Sequence, residues 1–271
     1  MRGDLTTMDK VLAWLMPDAG TVALSDTAKA QIARLITAAS KFTMNYLART
    51  TLAQMAYDEW YDGGNNNFML VRQWPVLSIS SIQFCSTEIT TVATGIPPRG
   101  GYILEGPLPS GGQQRLRLTD GYVFPRGRGT VRLQYTAGYV NTDEPHTIPD
   151  TPFTITTDSC WIADSGVTKS GVPMTLVTAT PAAGQYMIDP NGNYVFAEAD
   201  AGSEVLISYS YVPGDIEQVV VELVGERYKA RERIGMRSKN LPNGETVTFE
   251  TKNMSDQAAT ALQSYMRVTM S

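Results

Sequence analysis

Apolar residues recur at three- and four-residue steps in three stretches of the chain, and between these stretches the period falls to two. Residues 7–16 place Met8, Val11, Leu12 and Leu15 on one face of a short helix that Pro17 stops. Ser25 or Asp26 offers a side-chain acceptor to free first-turn amides. From there Ile32, Leu35, Ile36, Ala39, Phe42, Tyr46 and Leu47 carry a helical stripe through Arg49, and the stripe reads as core packing. The helical period returns over 215–233, where Ile216, Val219, Val220, Leu223, Val224 and Tyr228 form the apolar face. Glu222, Glu226, Arg227, Lys229 and Arg231 are expected to face water. A last short helix is predicted from Asp256 to Arg267.

Between the helices the alternation predicts short strands. Segments 55–61 and 68–72 flank Asp62-Gly63-Gly64-Asn65-Asn66-Asn67, residues that tolerate positive φ, and so predict a hairpin. Further strands are expected at 77–84, 101–105, 114–118, 131–135 and 245–250. Strands this short with regular turns predict an antiparallel sheet or small barrel. From Asn141 to Tyr211 the chain is rich in Thr, Gly and Pro and reads as five or six short strands after a linker-like NTDEPHTIPDTP. The fold class expected is α+β: a helical layer with an antiparallel sheet or barrel in a discontinuous core of 1–140 and 212–271, and an inserted, sandwich-like all-β domain at 141–211. A weak echo links 121–135 with 192–209, each holding Tyr-Val-Phe, a Gly and a strand ending in Tyr. It reads either as a duplication or as two ordinary hairpins with a Gly turn.

Charge sharpens that boundary. The chain has 271 residues, 42% hydrophobic and 18% charged, with a net charge of −5. Residues 141–211 contain nine acids against Lys169 alone, net −8, which leaves twenty-one bases and eighteen acids elsewhere, net +3. Coating of nucleic acid by bulk attraction needs clustered, uncompensated cations and is not expected. No stretch approaches the roughly 20 apolar residues of a membrane span, and Met1-Arg2-Gly3-Asp4 is not followed by an apolar run of signal-peptide length. The expectation is a soluble protein made in the cytosol.

Candidate chemistry is sparse. Two cysteines, Cys85 and Cys160, and one histidine, His146, do not make a zinc set, and the thiols read as buried small apolar residues. His146 lies in a proline-bounded stretch expected to be a poor scaffold for a general base. Neither a Gly-x-Ser-x-Gly elbow nor a Gly-Lys dipeptide occurs. Asp58-Glu59 and Asp143-Glu144 are adjacent acids, which on strands point to opposite faces. Asp189-Pro190-Asn191-Gly192-Asn193 matches a calcium loop only loosely and reads as a turn. No catalytic, cofactor or metal site is expected. Arg227, Lys229, Arg231, Arg233, Arg237 and Lys239 form a basic run, read as a solvated face or as a contact with an acidic partner or DNA phosphate.

Three stretches together resemble a known family. DKVLAWL with IARLITAASKFTMNYLART, then YDEWYDGGNNNFMLVRQWPVLSISSI, then YVFPRGRGTVRLQYTAGY look like the head-to-tail connector (adaptor, or head-completion) proteins of long-tailed bacteriophages. In that family a Tyr-x-Ala-Gly-Tyr strand is closely followed by Val-Pro and a helix ending in Arg-Tyr-Lys. Here Tyr135-Thr136-Ala137-Gly138-Tyr139 and Val212-Pro213 read continuously once 141–211 is removed, and ELVGERYKARERIGMRSKNL follows. The acidic insert departs from the family pattern. The resemblance implies a structural virion protein forming a ring, usually of twelve copies, under the portal protein and above a tail or neck protein, with genomic DNA passing through its channel. It also implies a C-terminal portal-gripping segment, for which Arg233, Arg237, Lys239, Leu262, Tyr265 and Arg267 are the candidate docking or ring-interface residues. The alternative is an accessory virion protein that binds a surface or carbohydrate through 141–211, with Trp161, Tyr186, Tyr194, Tyr209 and Tyr211 as its aromatics; their alternation suits a sandwich core better.

Overall fold

A computed structural model describes residues 3–16, 24–84, 87–89, 101–106, 113–119, 121–231, 238–240, 246–248 and 254–267. Among these, α1 (Met8–Leu15) and α2 (Asp26–Tyr46) begin on side-chain caps: Thr7 accepts from the Lys10 amide and Ser25, not Asp26, accepts from that of Ala28. Helix α2 ends three residues before Arg49, because Ala48 takes a left-handed φ of 53° and turns the chain inward.

The next strands are β1 (Met55–Gly63), β2 (Phe68–Leu70), β3 (Val76–Phe84), β4 (Thr87–Ile89), β5 (Tyr102–Glu105), β6 (Arg115–Leu118) and β7 (Gly127–Ala137). They form two antiparallel sheets, β1-β7-β3-β4 and β2-β6-β5, around one core that includes Tyr61, Val71, Ile82, Leu116, Phe124, Val131 and Leu133. No closed barrel forms among the described residues. The expected hairpin of 55–61 with 68–72 does not form either: β1 pairs with β7 and β2 with β6. The reason lies in the loop. Asn65 donates its amide to the Phe124 carbonyl, the Phe124 amide reaches Asn66, and the Leu118 amide reaches Asn67, so 65–67 pairs with 118–124 and becomes a corner between sheets.

Eight strands follow where five or six were expected: β8 (Val140–Thr147), β9 (Thr154–Ile155), β10 (Cys160–Lys169), β11 (Val172–Pro173), β12 (Thr175–Leu176), β13 (Gln185–Ile188), β14 (Tyr194–Phe196) and β15 (Glu204–Val212). They make two four-stranded sheets, β11-β10-β15-β8 and β12-β13-β14-β9, that share a core of Ile148, Val167, Tyr186, Tyr194, Phe196, Val205, Ile207 and Tyr209. Only the short β12–β13 pair is parallel. The linker-like opening is therefore largely a strand. Pro145 is accommodated because β8 is an edge, where one rim of the backbone needs no ladder partner. The sequence echo extends only to β7 and β15: Tyr122 and Val123 are exposed and outside any strand, whereas Tyr194 is buried in β14.

Helix α3 (Gly214–Ala230) begins directly after β15. Of its expected stripe Ile216, Val219, Val220, Leu223 and Val224 are buried and Tyr228 is half-buried, and Glu217, Val221 and Gly225, on a side that the stripe did not include, are buried too. Helix α1 lies on that side, close enough that a Cβ on Gly225 would come within 3.3 Å of the Trp14 ring. Glu217 is paired with the Lys10 ammonium at 2.7 Å. Strands β16 (Ser238–Asn240) and β17 (Thr246–Thr248) pair antiparallel, and α4 (Asp256–Gln263), shorter than the expected 256–267, packs on α3. The helical core also takes Cys160, Ile162 and Val212 from the proximal ends of β10 and β15. The two ends of 141–211 lie side by side, with the Tyr211 amide 3.1 Å from the Tyr139 carbonyl.

Candidate docking surfaces

Of the six candidate interface residues, Arg233 and Arg237 lie outside the described residues, and Lys239 sits on β16 opposite Val247. Leu262 and Tyr265 are buried in the chain's own helical core. The Arg49 guanidinium holds them there. Its Nε donates to the Tyr265 carbonyl at 2.8 Å and its Nη1 to the Trp74 carbonyl at 2.6 Å, and it lies 4.3 Å above the Trp74 ring. The Tyr265 ring stacks on Trp74, and its hydroxyl donates to Asp215 at 3.0 Å. Burial, then the Asp215 carboxylate, pushes that phenol up to about 12, so it stays a neutral donor.

Arg267 completes the attachment. Its amide donates to the Leu47 carbonyl at 2.9 Å and its guanidinium pairs with Glu59 at 3.1 Å. Glu59 also accepts from the hydroxyls of Tyr61 at 2.7 Å and Tyr135 at 2.8 Å, which in turn accept the Arg72 and Gln73 amides. Burial raises both phenols above the ordinary tyrosine range, so both donate as neutral groups. The carboxylate thus ties β1, β7, the 72–73 segment and the C-terminal segment together. Asp58 points the opposite way, to solvent, in a two-pronged pair with Arg132 at 2.8 and 2.6 Å.

An arginine groove lies between α2 and α3. Gln31, Arg34, Leu35, Ala38, Arg227, Tyr228 and Arg231 line a space of about 380 Å³, with no carboxylate among them. Arg227 and the C-cap residue Arg231 sit one helical turn apart, so both reach the same groove. Their guanidiniums lie over the rings of Phe42 at 5.1 Å and Tyr228 at 4.0 Å. Arg34 was missed from sequence because α2 was read only for its apolar stripe. The available signal was Lys29, Arg34 and Lys41 on a helix whose one acid is Asp26. A second groove of about 350 Å³ runs between α1 and α3 beside Trp14, which is 52% exposed.

In 141–211 the aromatics point mainly inward. Tyr186, Tyr194 and Tyr209 are buried, and Trp161 and Tyr211 are half-buried. Asp164 accepts from Tyr186 and Tyr194 at 2.7 and 2.9 Å, and Glu144 accepts from Tyr209 at 2.6 Å and sits 2.6 Å from the His146 ring. The Asp189 carboxylate is consumed by the amides of Asn191 and Asn193 and by the Asn193 side chain, as in a turn. Cys160 is a buried thiol, and Cys85 lies outside the described residues. No metal-holding cluster of His, Cys, Asp or Glu occurs among the described residues, and no described helix is long and apolar enough to cross a membrane. No protein-family model matches the chain, and no curated protein matches it.

Proposed function

We infer that the chain is a structural protein of a virion neck: a ring-forming adaptor between a capsid portal above and a tail or neck protein below, through which genomic DNA passes without sequence-specific binding. The observation that carries this reading is the junction at Tyr139 and Tyr211. That backbone bond brings the end of 1–140 beside the start of 212–271, and Gly138 of the Tyr-x-Ala-Gly-Tyr motif lets the chain pass close to Ala53 and Gln54 there. Gly138 has a φ of 144°, and a Cβ there would sit 2.5 Å from the Ala53 carbonyl oxygen. The motif therefore has a physical reason at the place where the insertion enters.

A ring requires head-to-tail contact between unlike surfaces. The helical layer with its arginine groove and the acidic sheets of 141–211 are unlike surfaces on one chain. Leu262, Tyr265 and Arg267 tie the C-terminal segment to the body, and in this reading Arg233, Arg237 and Lys239 are the residues that meet the portal. The chain in this reading is not an enzyme and needs no cofactor or metal. The burial of Tyr186, Tyr194 and Tyr209 removes three of the five aromatics that a carbohydrate-binding face in 141–211 would use.

Purified chain mixed with its portal should co-sediment with it. Reversing Arg233, Arg237 and Lys239 to Glu should weaken that binding while leaving the melting temperature unchanged. Retention on immobilised polysaccharide with no binding to the portal would overturn the reading in favour of the accessory binder.

A further inference from the structure

We propose that copies of this chain join head to tail through the arginine groove of one copy and the solvent face of the β11-β10-β15-β8 sheet of the next, an interface that rests on the ring-forming reading above. The groove is lined by Leu35, Ala38 and Tyr228 together with Arg34 and Arg227, and by Arg231, which already donates to the Gln31 side chain at 3.4 Å. Arg227 and Arg231 are already stacked on aromatic rings, so little side-chain freedom is lost when a partner arrives.

The sheet face has the complementary chemistry. In register across its four strands lie Pro173, Thr168, Leu206 and Pro145, and the prolines and Leu206 are exposed. Val205, Ile207 and Tyr209 are buried, which turns Glu204, Leu206 and Ser208 outward. Glu204 therefore flanks the apolar row on one side and Asp143, bonded to Ser208, flanks it on the other. The one cation of 141–211, Lys169, does not neutralise this face, because its ammonium is bound to buried Asp200 at 2.7 Å. Strand β15 has nine residues, so at about 3.3 Å each it holds its Glu204 end roughly 30 Å from the start of α3.

An apolar row edged by carboxylates thus matches a groove of apolar residues and arginines, and each copy carries one of each. Two different surfaces that recognise one another propagate from copy to copy and close if the rotation allows. Nucleic acid is the weaker occupant: so few arginines on a body of net +3 give little counterion release.

Arg34→Glu disables the groove, and Leu206→Asp disables the face. Both positions are solvent-accessible, so both variants should melt with the wild type. By sedimentation, each alone should self-associate at least about tenfold more weakly than the wild type. Mixed, they should form a one-to-one dimer, since only the intact face of the first and the intact groove of the second remain compatible. Assembly of either variant like the wild type, or a wild type that stays monomeric at its highest soluble concentration, overturns the interface. A ring formed on the portal by both variants removes this interface and leaves the adaptor reading standing. A specific mixed dimer with no ring on the portal does the reverse.

Discussion

Asp58 and Glu59 occupy successive positions on β1 and meet opposite surroundings, as alternation on a strand requires. The hydrogen bonds from Arg132, and then from Gln134, lower the Asp58 carboxyl from 3.8 to about 2. A folded-state value below the unfolded one means that this pair supports the fold above pH 4 and that its support is lost as pH falls from about 4 to 2. Replacing Arg132 with Gln should return the Asp58 midpoint toward its ordinary value, as read by carboxyl chemical shifts; an unmoved midpoint would refute the pairing. Arg49 is the costlier residue to change. Arg49→Met leaves the Trp74 and Tyr265 carbonyls without their donor inside the core and should destabilise by about 2–4 kcal/mol. Arg49→Lys should recover little of that loss, because a single ammonium cannot serve two carbonyls and stack on Trp74 at once. Chemical denaturation of the two variants decides this, and a Lys variant as stable as the wild type would contradict the stacking.

At the scale of elements, the helices were legible because their periodicity is local, and most strands were too. The misread elements share a cause: their partners are distant in sequence. Residues 62–67 have every mark of a hairpin turn, yet the Asn65 amide and the Asn66 and Asn67 carbonyls pair with 118–124, and nothing local to β1 and β2 encodes that. The prolines of 145–152 look like a linker because a proline's tolerance at a sheet edge depends on which strand is the edge. The basic character of α2 was there to read, but its joining with Arg227 into one groove was not, since the two residues line that groove from separate helices. Gly138 is the sharpest test at this scale. Gly138→Ala drives a methyl group into the Ala53 and Gln54 backbone and should cost about 3 kcal/mol, with the melting temperature down by about 5–10 °C. A change of less than a degree would mean that β7 and the 53–54 segment do not approach as closely as they do here.

For the whole molecule, the charge division between a body of +3 and a stretch of −8 coincides with the division between its cores, but not cleanly. Cys160 and Ile162 belong to the helical core, and the Ser210 hydroxyl accepts the Gln54 amide, so 141–211 is rooted in the body and not merely tethered to it. Replacing 141–211 with a short Gly/Ser link should therefore leave a body that melts in one cooperative step but is weaker by about 2–4 kcal/mol, chiefly through the loss of Ile162. Calorimetry showing no cooperative step would mean that the body cannot fold without the sheets. The measurement that bears most directly on function is electron microscopy of the full chain mixed with its portal. A closed ring capping the portal, with the helical layer and the sheets of neighbouring copies in contact, is the expected image; portals left bare beside monomeric protein would contradict the adaptor function outright.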